Sequence, residues 1–155
     1  MINYIKPIGA LALAVLFAAM ALPVGASGCD DTVRALNQRL QIKIDEAELT
    51  DALKALNTSN NARLPDKFVV KREAQRLGWQ PGRDLWSIPA LKSKSIGGDR
   101  FGNREGRLPN GNWREADLDY RGGHRGAKRL LFSADGRRRV TVDHYRTFVE
   151  IPECR

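Results

Sequence analysis

The chain has 155 residues, with 26 Lys and Arg against 18 Asp and Glu, a net charge of +8. That length suits one compact domain and excludes two ordinary ones, while the positive excess favours a polyanionic partner such as nucleic acid or an anionic membrane without specifying any chemistry. Two cysteines and two histidines, with no cluster of His, Cys and carboxylate residues, give no sequence basis for a metal site or for any other cofactor.

Lys6 precedes an apolar run from Ile8 to Leu22, and Gly25, Ala26 and Ser27 follow it. This pattern predicts a signal peptide over residues 1–26, cleaved after Ala26. A run of about 15 apolar residues is short of the roughly 20 that cross a bilayer, so no stable membrane span is expected. Removal of the segment takes away one basic and no acidic residue, leaving a charge of +7. In an exported chain Cys29 and Cys154 are expected to form a disulfide, and closing so long a loop could contribute roughly 4–5 kcal/mol. A rival reading remains, since Ala26-Ser27-Gly28-Cys29 resembles a lipidation signal that would modify Cys29 and leave Cys154 unpaired.

From Asp30 to Asn61 the chain is rich in helix formers, with Leu36, Leu40, Ile44, Ala52, Leu53 and Leu56 at helical spacing, which predicts a helical region. Leu64-Pro65-Asp66 reads as a turn, Lys71 to Leu77 as a further helix stopped by Gly78, and Leu85 to Leu91 as a short third helix weakened by Pro89. After Lys94, Gly and Asn clusters separate alternating segments that predict strands: 95–101, 113–120, 128–133, 139–144 and 147–151. Asp135-Gly136 marks a hairpin between two of them. Helices first and strands afterwards indicate an α+β domain, with N-terminal helices packed on an antiparallel sheet of about five strands.

Taken singly, the polar patterns are weak. The run Gly97 to Gly106 is glycine-rich but lacks the Gly-Lys-Ser/Thr ending of a P-loop, so by itself it is a connection between strands. Strand alternation puts Trp113, Glu115 and Asp117 on one face, where a lone Glu is more often a solvated residue. His144 at a strand end is more often a surface residue than a catalyst. Arg125 and Arg129 alone are part of a basic face.

Their combination is far more specific. Leu64-Pro65-Asp66, Lys71, Glu73-Ala74-Gln75, Leu77-Gly78-Trp79 and Lys94-Ser95-Ile96-Gly97-Gly98-Asp99 are followed by Phe101, Asn103-Arg104-Glu105-Gly106 and Leu108-Pro109. Trp113-Arg114-Glu115-Ala116-Asp117, Arg125, Arg129, Asp143-His144-Tyr145 and Thr147-Phe148 complete the order. This colinear set resembles the barnase-type bacterial guanyl-preferring ribonucleases. The resemblance leaves out residues 29 to about 48, which suggests an N-terminal extension over 27–48 and a ribonuclease domain over 49–155.

What the resemblance implies is a secreted or periplasmic, metal-independent endoribonuclease. It would cleave single-stranded RNA 3′ of guanosine through a 2′,3′-cyclic phosphate, then hydrolyse that to a 3′-phosphate. Glu115 would be the general base and His144 the general acid. RNA supplies the 2′-OH nucleophile, which must lose a proton while the departing 5′-oxygen gains one. Carboxylic acids and imidazoles, with reference pKa values of about 4.3 and 6.5, hold opposite protonation states together in a mildly acidic window. Arg125, Arg129 and Lys71 would stabilise charge on the phosphoryl oxygens, with Asp117 orienting the arginines. Glu105 would accept from the guanine N1–H and amine while the backbone N–H groups of Asn103 and Arg104 donate to its carbonyl. Tyr145, with Phe101 or Arg104, would stack on bases.

Departures from the family pattern are Gly102, where relatives commonly carry serine, and His124, where an aromatic residue is usual. His124 would be either an added cation beside the substrate or a solvent-facing loop residue. Arg137, Arg138 and Arg139 replace a more apolar hairpin and could extend the RNA track. The resemblance further implies a monomer with an acidic, barstar-like protein inhibitor. The competing reading is a non-enzymatic exported cationic protein that binds nucleic acid or the envelope. Simple attraction would not require a base, an acid and phosphate cations all at matching positions.

Overall fold

The computed structural model describes residues 25–155. All but the last two residues of the expected signal peptide lie outside them. Among the described residues no helix is long and apolar enough to cross a membrane.

The expected α+β architecture is present, with one strand more than anticipated. Two helices, α1 (Cys29–Arg39) and α2 (Glu46–Thr58), precede a short strand β1 (Phe68–Val69) and a third helix α3 (Lys71–Arg76). The sheet continues with β2 (Ser95–Arg100), β3 (Trp113–Asp117), β4 (Arg129–Ser133), β5 (Arg138–Thr141) and β6 (Val149–Glu150). Strand order follows the sequence, β1 to β6. Among the described residues only the β1–β2 pair is parallel. The segment expected as a third helix near Leu85 instead forms two 3₁₀ turns, Leu85–Ser87 and Pro89–Leu91. Pro89 lacks the N–H that a continuous helix would use there.

The helical region breaks between Arg39 and Glu46, so Leu40 and Ile44 are buried from a loop rather than a helix face. Asn37 holds the break: its side-chain amide donates to the Ile44 carbonyl at 2.8 Å and its oxygen accepts from the Ile44 N–H at 3.0 Å. Asp45 then caps α2 by accepting from Glu48 N–H.

Helices α1 and α2 pack on one face of the sheet. Val33, Leu36, Leu49, Leu53 and Leu56 join Ala116, Leu130, Phe132 and Val140 in a single core. Each fully buried leucine contributes about 1.5–3 kcal/mol relative to exposure. The segment before residue 49 therefore supplies part of the same core. A disulfide between Cys29 and Cys154 ties the start of α1 to the chain end across 125 residues. Cys29 is thus paired, and the lipidated alternative does not describe this structure. Reduction is expected to lower unfolding free energy by about 2–4 kcal/mol, less than the chain-entropy ceiling because unfolded chains retain structure. Urea unfolding with and without a reductant measures it.

On the other face, Leu108, Trp113 and Leu131 form a smaller cluster with Phe101 and Phe148 against it. This face carries the polar residues of interest. Register places Asp99 opposite Glu115, Glu115 opposite Leu131, and Asp117 opposite Arg129. Between Gly97 and Asp99 the β2–β3 register shifts. A side chain at Gly97 would bring a Cβ within 2.6 Å of Phe68 Cδ1 and 2.9 Å of Ala116 Cβ, so only glycine allows β2 to pass so close to both neighbours.

Candidate active site

Strand β3 fixes the centre of the site. Glu115 is 8% exposed and Asp117 is 2% exposed, both on the face away from α1 and α2. The Lys71 Nζ lies 3.4 Å from Glu115 Oε1. Lys71 reaches this place because it opens α3, whose first turn is anchored by its own N–H donating to Asp99 Oδ2 at 2.9 Å. Glu115 Oε2 accepts from the Tyr145 hydroxyl at 2.6 Å.

The Tyr145 hydroxyl also accepts from Arg129 Nε at 3.1 Å. Burial and the Glu115 carboxylate push the Tyr145 phenol up to about 12, so it stays a neutral donor. Asp117 binds both arginines. Arg125 donates through Nε and Nη2 to its two oxygens at 2.6 and 2.8 Å, and Arg129 Nε lies 3.0 Å from Oδ1. The hydrogen bonds it donates to Asp117 raise the Arg125 guanidinium above its ordinary value despite burial. Two cations that would repel each other are held side by side by one buried carboxylate.

A cavity of about 590 Å³ opens beside Glu115, lined chiefly by the loop from Phe101 to Glu105, by Arg107 and by Tyr145. The loop is shaped by Asn103, which has a positive φ of 43°. Its side-chain amide donates to the Leu108 carbonyl at 2.7 Å and its oxygen accepts from the Leu108 N–H at 3.0 Å. The side chain of Asn103 is therefore occupied in building the loop, while among the described residues the N–H groups of Asn103 and Arg104 donate to no backbone carbonyl. Glu105 is exposed, and its Oε2 pairs with Arg107 Nε at 2.8 Å. Phe101 and Tyr145 already stack on each other, with centroids 5.2 Å apart and planes at 22°.

His144 is exposed and does not line the cavity. It stands next to it, its ring centroid 5.1 Å from that of Tyr145. Both residues have positive φ, 59° and 69°. Asp143 holds this strained turn: it accepts from Thr141 Oγ1, Thr147 Oγ1 and the N–H groups of Arg146 and Thr147. Burial alone would raise the Asp143 carboxyl, but those donors bring it down to about 2. His124 is an exposed loop residue.

Two contributors escaped the sequence reading. One is Asp143, quoted there for its place in the pattern and not for its bonds. The other is Arg107, whose Nη1 donates to the carbonyls of Tyr145 and Arg146 at 3.1 Å each while its Nε holds Glu105. Arg107 therefore joins the Phe101–Glu105 loop to the turn that carries His144. No local sequence signal marks it, because its partners are backbone atoms nearly 40 residues away. Among the described residues no three His, Cys, Asp or Glu side chains converge as a metal site would need.

The sequence itself has close counterparts. Residues 52–152 match the ribonuclease family. Ribonucleases from Heyndrickxia coagulans, Bacillus intermedius and Bacillus pumilus are each 48% identical to this chain over 92 residues, 57% of it. The matched part covers 84% of the first relative and 56% of the other two, so the chain spans only about half the length of those two curated relatives. The chain belongs to the ribonuclease family, in its barnase-type bacterial branch.

Proposed function

We propose that the protein is an exported endoribonuclease that cleaves single-stranded RNA 3′ of guanosine, without a metal, through a 2′,3′-cyclic phosphate. The observation that carries this reading is a buried carboxylate, Glu115, in the wall of the cavity, with Lys71 beside one of its oxygens and Tyr145 linking the other to Arg129, which Asp117 clamps together with Arg125. Glu115 takes the 2′-OH proton. Its Oε1 is the freer oxygen, because Lys71 faces it at a loose 3.4 Å while Tyr145 holds Oε2. The arginines and Lys71 neutralise charge gathering on the phosphoryl oxygens, and preorganised cations act there without reorganising during the reaction.

His144 protonates the departing 5′-oxygen from the opposite side of the phosphate. The positive-φ turn braced by Asp143 supports this role, since it holds an exposed imidazole 5.1 Å from the Tyr145 ring, which lines the cavity, at a backbone cost that a mere surface histidine would not need. In the second step His144 activates water and Glu115 returns the proton.

Guanine fits the loop because Glu105 can accept from two adjacent donors while the N–H groups of Asn103 and Arg104 face its carbonyl. Glu105 must either turn from Arg107 or use its remaining oxygen. The disulfide and the apolar N-terminal run support export. The arginine cluster supports an acidic protein inhibitor as partner.

The deciding experiment is incubation of guanylyl-(3′,5′)-uridine with the protein in EDTA, with product identification. The expected product is guanosine 2′,3′-cyclic phosphate, and an intact dinucleotide refutes the reading in favour of a cationic binding protein. Glu105→Ala is expected to lower the guanine-over-adenine ratio of kcat/KM by about tenfold or more, because an unsatisfied polar group costs roughly 1–3 kcal/mol. Unchanged selectivity would remove Glu105 from base recognition.

A further inference from the structure

On the helix-packed face of the sheet, three arginines form a row across four strands. Arg100 is paired directly with Arg114, Arg114 with Phe132, and Phe132 with Arg138. Like charges opposite each other on neighbouring strands destabilise a sheet unless a counter-charge reaches them. Among the described residues neither Arg100 nor Arg114 forms an ion pair. Both are exposed. Arg138 is 8% exposed, and its Nε and Nη1 donate only to the amide oxygens of Asn61 and Asn57. Its neighbours in sequence behave otherwise: Arg137 is paired with Asp135 and Arg139 with Glu150.

The row follows three neighbouring cavities that share lining residues. Arg100 lines both the cavity beside Glu115 and a second cavity of about 410 Å³ that also contains Arg114, Asn60 and Asn61. Asn60 and Asn61 in turn line a third cavity, of about 510 Å³, with Arg138 and Arg155. Glu153 is the carboxylate present in that last cavity.

We propose that this groove is a second phosphate track, which carries a single RNA strand from the cavity beside Glu115 over β2 and across the sheet to Arg138. The proposal rests on the ribonuclease reading of the first cavity. Continuity through Arg100 favours a strand already held there. The groove crosses three strand spacings, about 14 Å, which suits a flexible polyanion a few nucleotides long. A flat bilayer surface would reach Arg100 and Arg114 but not the buried Arg138 on the groove floor. Asparagine amides beside the guanidinium groups add sequence-independent donors for phosphate and sugar.

The test compares the wild type with Arg114→Gln and, as a charge-matched control, Arg83→Gln, an exposed arginine beside Trp79. The probe is a fluorescent deoxythymidylate strand of about 16 nucleotides with one central deoxyguanosine, which lacks the attacking 2′-OH and stays intact. Arg114→Gln is expected to weaken its binding by about three- to tenfold at low salt and to make the slope of log Kd against log salt shallower by about 0.7, one phosphate contact. Arg83→Gln should leave the slope unchanged. Cleavage of guanylyl-uridine, too short to reach beyond Arg100 to Arg114, should be the same in Arg114→Gln and wild type.

Equal binding loss in both variants, or none in Arg114→Gln, overturns the track. So does an Arg114→Gln defect confined to vesicles of anionic phospholipid, which would make the row a membrane contact. Failure of the wild type to cleave the dinucleotide would instead overturn the ribonuclease reading, while the strand-binding comparison still decides the row.

Discussion

Glu115→Gln is expected to reduce cleavage of guanylyl-uridine in EDTA by about 10²–10⁴-fold, the usual worth of a positioned general base. The amide keeps the size of the side chain and can still accept from Tyr145, so the packing around β3 is preserved. What disappears is the ability to take the 2′-OH proton. The loss should fall on kcat, with binding of a non-cleavable strand little changed, because the phosphate cations remain clamped by Asp117. The pH profile separates this from a structural role. Wild type and Glu115→Gln should differ in the shape of their pH profiles, whereas a purely structural loss would lower activity by the same factor at every pH. Turnover close to wild type would show that some other group accepts the proton.

Glu115 is singled out by the family resemblance, and the two-residue period of a strand adds only which face it occupies. Trp113, Glu115 and Asp117 must share a face if the segment is extended, and the register with β4 then brings Arg129 opposite Asp117. The α+β order and the disulfide were legible for similar reasons, since each depends on composition or periodicity over many residues. What could not be read depends on contacts distant in the chain. The break between α1 and α2 is held by Asn37 bonding across to Ile44, against a run of apolar spacing that continues through it. A two-residue strand such as β1 is too short to show a period. Arg107 acts on the carbonyls of Tyr145 and Arg146, and any basic residue would look alike there in sequence. The row from Arg100 to Arg138 exists only once β2 to β5 are in register.

Asp117→Asn should cost both stability and activity. The side chain of Asp117 is 3% exposed and that of Arg129 is 4% exposed, with Arg125 alongside. Removing one partner of a buried ion pair typically costs about 3–5 kcal/mol, because the remaining charge stays desolvated without compensation. Here two guanidinium groups lose the same counter-charge, and the new amide turns N–H donors toward groups that are themselves donors only. Urea unfolding should show the loss as a lower midpoint with little change in slope. Activity should fall about 10²-fold or more, since cations that are no longer aimed stabilise the transition state poorly. Inorganic phosphate offers a sharper discrimination. It can replace the missing negative charge between the arginines, so it should raise the midpoint of Asp117→Asn more than that of wild type, in proportion to the logarithm of its concentration. Should phosphate stabilise both proteins equally, Asp117 would be holding shape rather than charge, and the arginines would owe their positions to the Gly126 and Lys128 carbonyls that Arg129 also binds.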